Sequence, residues 1–362
     1  MIVSLVKETK VGEKRILLLP EQVKELARIC EIYVEVDAGV MLGIHNKEYE
    51  KIGAKIVDKN TAWNKADLIV KLKCPSIEEL DSMKEMASIA SLFHAEVKPE
   101  IVDILLEKKI TSYSFEYFKN SEGIFPLMKA TGEISGKQAV IYAAYHLQSH
   151  LSGSGKLLCN CSLVDGAKIA ILGFGNVGKA AAEMAVALGA EVVIFRWGNE
   201  SVGSVSINGI NIKCFPWDKN IIDEVIPNCD VVIGAIRIST FDTPIFLHET
   251  VLKKMKKGSV IVDVTAGYGS GYIETSKKTT TLAEPYFISN GIKHIKIREL
   301  PLGVHQSSAY QISRIYGPYI LNLIESLNRN EAYSIAENGI ITKNGKLVNN
   351  QVKRHYNLKF KE

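Results

Sequence analysis

The sequence predicts an α/β protein made of two doubly wound domains with a cleft between them. Three observations lead to this class. The 362 residues exceed what one hydrophobic core usually supports, so about two domains are expected. Short apolar runs alternate with amphipathic stretches from the start of the chain to residue 130. A second alternating region begins at Lys168, after a loop that contains Gly and Ser.

The apolar runs and the helical patterns define the expected elements of both regions. In the first region we expect strands at 2–6, 32–37, 54–57, 68–73, 88–93 and 110–114, and helices at 20–29, 47–52, 77–86 and 99–108. A long helix is expected at 131–150. The second region has candidate strands at 168–172, 191–195, 212–215, 231–236, 259–264 and 292–297, with a helix at 250–256. A further helical pattern covers 310–328, and the polar, basic segment 344–362 is expected to be solvated.

The segment from Ala167 to Arg196 carries the most specific motif. An apolar strand is followed by the G-x-G-x-x-G pattern of Gly173, Gly175 and Gly178, and then by an Ala-rich helix and a second strand. The first glycine permits a tight turn, the second lets the backbone approach a pyrophosphate, and the third lets the helix pack close to the strand. This context favours a Rossmann-like dinucleotide site over a merely structural turn.

The expected binding residues at this site are the glycines themselves, together with the first residues of the helix. A pyrophosphate would bind at the positive helix N-terminus, where Asn176 and Val177 lie. We therefore assign residues 131–306 to a dinucleotide-binding domain, and residues 1–130 with 307–362 to a substrate domain, because a chain that leaves one domain often returns to it.

Arg196 indicates which dinucleotide is bound. At the end of the second strand, units that bind NAD usually place an Asp or Glu against the ribose 2′-hydroxyl, whereas an arginine suits a 2′-phosphate. The sequence therefore favours NADP(H), with NAD(H) possible. The alternative is that Arg196 is a solvated cation at a strand end, since no second basic residue follows in WGNES.

Polar residues just past the strands of the first region are the candidate substrate groups, since ligands of α/β sheets collect at the carboxyl ends of strands. These residues are Arg15, Lys73 and His94. Arginine binds a carboxylate with two parallel hydrogen bonds, lysine polarises a carbonyl or imine, and histidine transfers a proton near neutral pH. Each residue alone is commonly structural. Together they predict a site for a small carboxylate substrate.

Several motifs resemble one enzyme family along nearly the whole chain. They include KETKVGEKRILLLP, ADLIVKLKCP, SLFHAE, GFGNVG, KKGSVIVDVTAGYGSGYIETSKKTT and ELPLGVHQSSAYQISRIYGPYI. The chain resembles the family of alanine dehydrogenase, the transhydrogenase alpha subunit, saccharopine dehydrogenase and carboxyethyl-ornithine synthase. The resemblance implies that Arg15 and Lys73 bind the substrate carboxylate and that His94 is the catalytic histidine.

Four positions depart from the alanine dehydrogenase pattern. The resemblance implies an aspartate shortly after the VDV strand, where this chain has Gly267, and an asparagine where it has Glu299. A family serine is replaced by Gly132, next to Glu133, and the acidic ribose-binding residue is Arg196. Glu299 and Glu133 are alternative catalytic acids, and we name Glu299 with His94 and Lys73 as catalytic candidates.

The resulting hypothesis is an NADP(H)-dependent oxidoreductase that acts on the C–N bond of an amino or imino acid. The amine partner of the 2-oxo acid is either ammonia or a second amino acid, and the departures favour the second, opine-type reaction. One alternative is an NAD-dependent alanine dehydrogenase. An alternative of another class is a non-catalytic nucleotide-binding regulatory protein, which the loss of an active-site aspartate would suit.

Composition excludes several other classes of function. The net charge of +4 is dispersed, and no stripe of basic and aromatic residues indicates nucleic acid binding. No run approaches the ~20 apolar residues of a membrane span. The six cysteines lack the spacing of a metal site, so no metal is expected. We expect a cytoplasmic homo-oligomer that acts on small molecules.

Overall fold

The computed structural model describes residues 1–196, 203–236, 244–265 and 271–358. Contacts divide the chain into two compact units. The first unit comprises Met1–Thr131 and Val304–Glu362, and the second comprises Gly132–Gly303. The first unit is therefore made of two separate stretches of sequence, whereas the second is continuous.

The first unit is built on a six-stranded parallel sheet. In chain order the strands are β1 (Ile2–Leu5), β2 (Glu31–Glu35), β3 (Lys55–Val57), β4 (Leu68–Lys73), β5 (Ser88–Leu92) and β6 (Thr111–Ser114). Their spatial order is β3-β2-β1-β4-β5-β6, and every neighbouring pair is parallel. This is the doubly wound order, which reverses between β1 and β4 and creates a crevice at the carboxyl ends of these strands.

Helices connect and cover this sheet. They are α1 (Pro20–Leu26), α2 (Asn46–Glu50), α3 (Lys59–Asn64), α4 (Ile77–Asp81) and α5 (Pro99–Glu107), followed by α6 (Met128–His146), whose length includes the boundary between the units. The returning stretch forms α10 (His305–Arg329), α11 (Ser334–Glu337), the short hairpin of β15 (Thr342–Lys343) and β16 (Lys346–Leu347), and α12 (Asn350–Leu358). Helix α10 packs against α1 and buries Ile312, Tyr316 and Ile320 in the core of the first unit.

The second unit is built on an eight-stranded sheet. Its strands are β7 (Lys168–Leu172), β8 (Glu191–Arg196), β9 (Gly203–Ile207), β10 (Ile210–Pro216), β11 (Val231–Gly234), β12 (Val260–Asp263), β13 (Phe287–Ser289) and β14 (Ile292–Ile295). The spatial order is β13-β14-β12-β11-β7-β8-β10-β9. The six inner strands are parallel, and the two edge strands are antiparallel to their neighbours. Helices α7 (Asn176–Ala187), α8 (Lys219–Val225) and α9 (Glu249–Leu252) complete the unit.

The predicted fold class, two α/β domains with doubly wound sheets, is confirmed. The expected strands at 68–73 and 168–172 have the same bounds in the structure, and the other expected strands differ at their ends by a few residues. The edge strands β9 and β13 were not expected. The described part of the segment 344–362 is mostly exposed, as expected, but it also forms the unpredicted helix α12, in which Val352 is completely buried. No helix of the described residues combines the length and the apolar character that crossing a bilayer requires.

Small residues let α6 approach α7 closely. A Cβ atom on Gly136 of α6 would overlap the carbonyl oxygen of Val177, and one on Gly132 would lie 3.0 Å from the Cβ of Asn176. Asn176 and Val177 belong to the first turn of α7, so the two glycines allow α6 to pack closely against this turn.

We predict that Gly136→Ala destabilises the second unit. Helix propensity alone would favour alanine over glycine by about 1 kcal/mol. However, the overlap of the new Cβ atom with a backbone oxygen cannot be relieved by a rotamer change, and such overpacking typically costs about 1–3 kcal/mol. The measurement is the melting temperature. Gly303→Ala is the control, because its Cβ would lie 3.6 Å from the nearest atom, Cδ2 of Leu282, and should leave the melting temperature unchanged.

Candidate functional site

Lys73 and His94 lie at the same edge of the first sheet. Lys73 is the last residue of β4, and His94 follows the neighbouring strand β5 by two residues. Because β4 and β5 are parallel, with Lys73 opposite Leu92, their carboxyl ends meet at one edge. The positive charge of Lys73 is one of the influences on the pKa of His94. The structure thus brings together two of the three candidate substrate groups that the sequence predicts.

Arg15 lies in the loop that follows β1 and leaves the sheet at the same carboxyl edge, and only 2% of its surface is exposed. Its Nε and Nη2 atoms donate to the two carboxylate oxygens of Glu13 at 2.7 and 2.6 Å. Nη1 donates to Oγ of Ser308, in the first turn of α10, at 3.0 Å. The guanidinium plane is therefore fixed by an acidic side chain of the same loop and by the returning stretch of the chain.

His94 has a left-handed backbone conformation, with φ 51° and ψ 46°. Such a conformation is uncommon for residues other than glycine. Its N–H donates to Oε1 of Glu116 at 2.6 Å, and Nδ1 lies 3.9 Å from the same oxygen. The imidazole is 40% exposed. It is therefore anchored through the backbone while its ring remains open to a small molecule.

Partial burial lowers the pKa of His94 below its usual value of 6.5, and the nearby ammonium groups of Lys73 and Lys98 act in the same direction. The carboxylates of Glu116 and Glu96 oppose this shift. The neutral imidazole is thus the favoured form at neutral pH, and a base in that form can accept a proton.

A second buried charge cluster supports the end of β4. The Nζ atom of Lys71 donates to the carbonyl oxygen of Lys7 at 3.0 Å and lies 3.4 Å from Glu8 and 3.5 Å from Glu79. Burial raises the pKa of Glu8, while Lys71 and two backbone N–H groups lower it. Two carboxylates surround one ammonium, so Lys71 compensates only part of the negative charge of the cluster.

Gly173, Gly175 and Gly178 have the local geometry that a dinucleotide-binding loop requires. Gly173 has φ +98°, and its Cβ would lie 2.8 Å from the carbonyl oxygen of Ala235. A Cβ on Gly178 would overlap the carbonyl oxygen of Gly173, so the helix packs directly on the turn. A Cβ on Gly175 would meet no atom of the described residues within 4 Å, which leaves that face of the loop accessible. Helix α7 begins at Asn176 and directs its free N–H groups toward the loop.

Two cations flank the aromatic ring in this loop. The guanidinium carbon of Arg196 lies 5.6 Å from the ring centroid of Phe174, and Nζ of Lys179 lies 5.8 Å from it. Arg196 ends β8, and Lys179 lies in the first turns of α7. Lys179 was not predicted from the sequence, because a second basic residue beside Arg196 was expected only after the strand. The spacing of Lys179 one residue after the third glycine could have identified it.

The departures from the family pattern have different structural contexts. Gly132 lies where α6 approaches Asn176, so a larger side chain would be crowded there. Glu133 forms an ion pair with Lys137 on the same helix at 3.3 Å. Glu299 is half-buried and precedes the short 3-10 helix Leu300–Val304. Gly267 lies outside the described residues.

Comparison with known protein families gives matches in both units. The model of the alanine dehydrogenase/PNT N-terminal domain matches residues 4–135, and that of the C-terminal domain matches residues 139–350. An alanine dehydrogenase of Bacillus subtilis is 31% identical, and the alignment covers 98% of this chain and 94% of that protein. One of Methanococcus maripaludis is 28% identical, with 99% and 98% covered.

Solved structures agree with these relatives. An L-alanine dehydrogenase has a TM-score of 0.87 at 26% identity, and the alignment covers 99% of both chains. A transhydrogenase from Sinorhizobium meliloti has a TM-score of 0.77 at 22% identity, with 97% of this chain and 99% of that chain covered, and shows the fold alone.

Proposed function

Because this chain belongs to the alanine dehydrogenase/PNT family, we propose that it catalyses the reversible oxidative deamination of alanine to pyruvate with a nicotinamide dinucleotide. Its homologues indicate that it is an amino-acid dehydrogenase. The specific substrate pair is our proposal. The observation that carries it is the placement of Lys73 and His94 at adjacent strand ends of one sheet, with Arg15 in the loop after β1.

The names of the relatives help to identify the amine that reacts with the 2-oxo acid. The sequence hypothesis preferred a second amino acid as the amine, which would give an opine-type product. The relatives compared here are named alanine dehydrogenases, which supports the alternative that uses ammonia.

The proposed roles follow from the chemistry of the three side chains. Arg15 binds the substrate carboxylate, Lys73 polarises the oxo or imino group, and His94 transfers a proton to or from the substrate. Gly173, Gly175, Gly178 and the N-terminus of α7 would hold the dinucleotide, which when bound would supply the hydride acceptor or donor for the substrate carbon. In the oxidative direction alanine, water and the oxidised dinucleotide give pyruvate, ammonium, a proton and the reduced dinucleotide.

The direct test is a turnover assay of the purified protein. We expect reduction of pyruvate in the presence of ammonium with NADPH or NADH as the reductant, and oxidation of alanine with the corresponding oxidised dinucleotide. Glyoxylate and a panel of amino acids as the amine provide the comparison. Opine formation that is faster than ammonia incorporation would contradict the proposal, and dinucleotide binding without turnover on any pair would favour the non-catalytic alternative.

The pH profile tests the role of His94. If His94 is the base in alanine oxidation, the rate falls as the pH drops through its pKa, which lies below 6.5 because burial and the neighbouring lysines lower it. In pyruvate reduction the protonated form is needed, so the rate falls as the pH rises through the same value. His94→Ala should lower the rate by about 10²–10⁴ and remove this limb while leaving dinucleotide affinity intact.

Glu299 is the alternative acid. A nearly full rate in His94→Ala, together with activity abolished in Glu299→Gln, would assign the proton transfer to the second unit.

The cofactor preference for NADP(H) remains a prediction, supported by Arg196 and Lys179 beside Phe174. Arg196→Asp should weaken NADPH binding more than NADH binding, because a charge-assisted hydrogen bond contributes about 1.5–3 kcal/mol. The measurement is the dissociation constant of each reduced dinucleotide by fluorescence titration. Equal affinity of the unmodified protein for NADPH and NADH would contradict the assignment.

A further inference from the structure

Each of the three candidate substrate groups in the first unit has its own backbone N–H bound by a buried glutamate. Two of the glutamates come from the loop after β1 and the third follows β6, yet all three make this contact. The pairs are Glu13 with Arg15, Glu8 with Lys73, and Glu116 with His94.

Glu13 binds Arg15 most extensively. Its side chain is completely buried, and Oε1 accepts both the backbone N–H of Arg15, at 2.9 Å, and Nε, at 2.7 Å. Oε2 accepts Nη2 at 2.6 Å. One carboxylate thus fixes both the backbone and the guanidinium plane of the residue that would bind the substrate carboxylate.

Glu8 binds the end of β4. Its Oε1 accepts the N–H of Leu72 at 2.7 Å, and its Oε2 accepts the N–H of Lys73 at 3.2 Å. The pairing of β4 with β5 is irregular between Val70 and Lys73, so the sheet alone does not fix this position. The side chain of Glu8 is 2% exposed, and it lies 3.4 Å from the ammonium of Lys71, which it shares with Glu79.

Glu116 binds the turn after β5. Its Oε2 accepts the N–H of Phe93 at 3.3 Å, and its Oε1 accepts the N–H of His94 at 2.6 Å. The left-handed conformation of His94 has to be stabilised by its surroundings, and these two hydrogen bonds supply part of that stabilisation.

Both oxygens of each glutamate accept a hydrogen bond from an N–H group. A carboxylate can do this, whereas the amide of glutamine has one acceptor oxygen and directs its NH₂ group at the second donor. The three positions therefore require a carboxylate and not merely a polar side chain of the same shape.

From this shared contact we infer that Glu8, Glu13 and Glu116 are positioning residues that hold Lys73, Arg15 and His94 in their working geometry. The inference rests on the proposed function for the roles of the three groups they hold. It extends that function by assigning to three further side chains the placement of the substrate groups.

The test compares Glu8→Gln, Glu13→Gln and Glu116→Gln with the control Glu79→Gln. Glu79 is also a buried glutamate in contact with Lys71, but its backbone contact is to Ser76 in the capping box of α4. For each protein we would measure melting temperature, dinucleotide affinity, kcat and KM for pyruvate, the pH profile, and calorimetric binding of oxamate, a pyruvate analogue, to the dinucleotide complex.

The expected effects differ between the three variants. Glu13→Gln should weaken oxamate binding and raise the KM for pyruvate by about 10-fold or more, although removal of a negative charge beside Arg15 would by itself strengthen binding of an anion. Glu116→Gln should lower kcat by about 10²-fold, because a displacement of a catalytic group by roughly 1 Å can have such an effect. It should also shift the part of the pH profile assigned to His94 to lower pH, because the variant lacks the carboxylate that raises the pKa of His94. Glu8→Gln should lower kcat/KM. Dinucleotide affinity should be unchanged throughout.

Two results would overturn the inference. One is a set of folded variants with the kcat, KM, pH profile and oxamate affinity of the unmodified protein. The other is a parallel loss in all four variants, with the control as affected as the rest, which would indicate a purely structural role. An unmodified protein that binds oxamate but does not turn over pyruvate would refute the proposed function alone. One that binds no oxamate would refute both.

Discussion

The burial of charged groups at the carboxyl edge of the first sheet is the constraint on which the first unit depends. Arg15 and Lys71 are 2% and 1% exposed, and a buried charge is tolerated only when it is paired and hydrogen-bonded. The loop after β1 meets this requirement with Glu8 and Glu13. Removing one member of a buried pair typically costs about 3–5 kcal/mol, so the geometry of the candidate substrate groups and the stability of the unit are linked.

The returning helix α10 takes part in the same arrangement. Ser308 accepts a hydrogen bond from Arg15, and Oγ of Ser313 accepts the N–H of Leu19, just before α1, at 2.7 Å. Tyr316 is buried on the next turn, and both Glu116 and Arg15 influence its pKa, which burial raises. In the second unit the close contacts depend on glycines and not on paired charges. The glycines allow backbone atoms to approach each other closely at the loop between β7 and α7.

Local patterns made much of the fold predictable. The apolar runs of β4 and β7 and the spacing of Gly173, Gly175 and Gly178 are properties of short segments, and the structure agrees with them. The edge strand β9 is mostly exposed and lacks the apolar run of a buried strand. Helix α12 was not predicted, since Val352 is the one fully buried residue within the polar stretch 350–357.

The contacts around the candidate site were harder to predict from the sequence. Lys73 and His94 follow apolar runs, so their position at the sheet edge could be deduced. Their glutamate partners are 65 and 22 residues away, and such pairs depend on tertiary structure. Glu13 is only two residues from Arg15, yet the sequence pattern gave no reason to prefer it over a solvated acid.

The two-part composition of the first unit has a consequence for biosynthesis. Ribosomes release the N-terminal part of a chain first, at about 5–20 residues per second, and domains generally fold as units. The first 131 residues emerge before α10, whose Ser308 and Ser313 complete the surroundings of Arg15 and Leu19. The continuous second unit can therefore finish folding before the returning stretch with α10 has been synthesised, when the first unit is still incomplete. A nascent chain that is stalled before residue 304 would expose the apolar groove that α10 fills, and would be a natural client for chaperones.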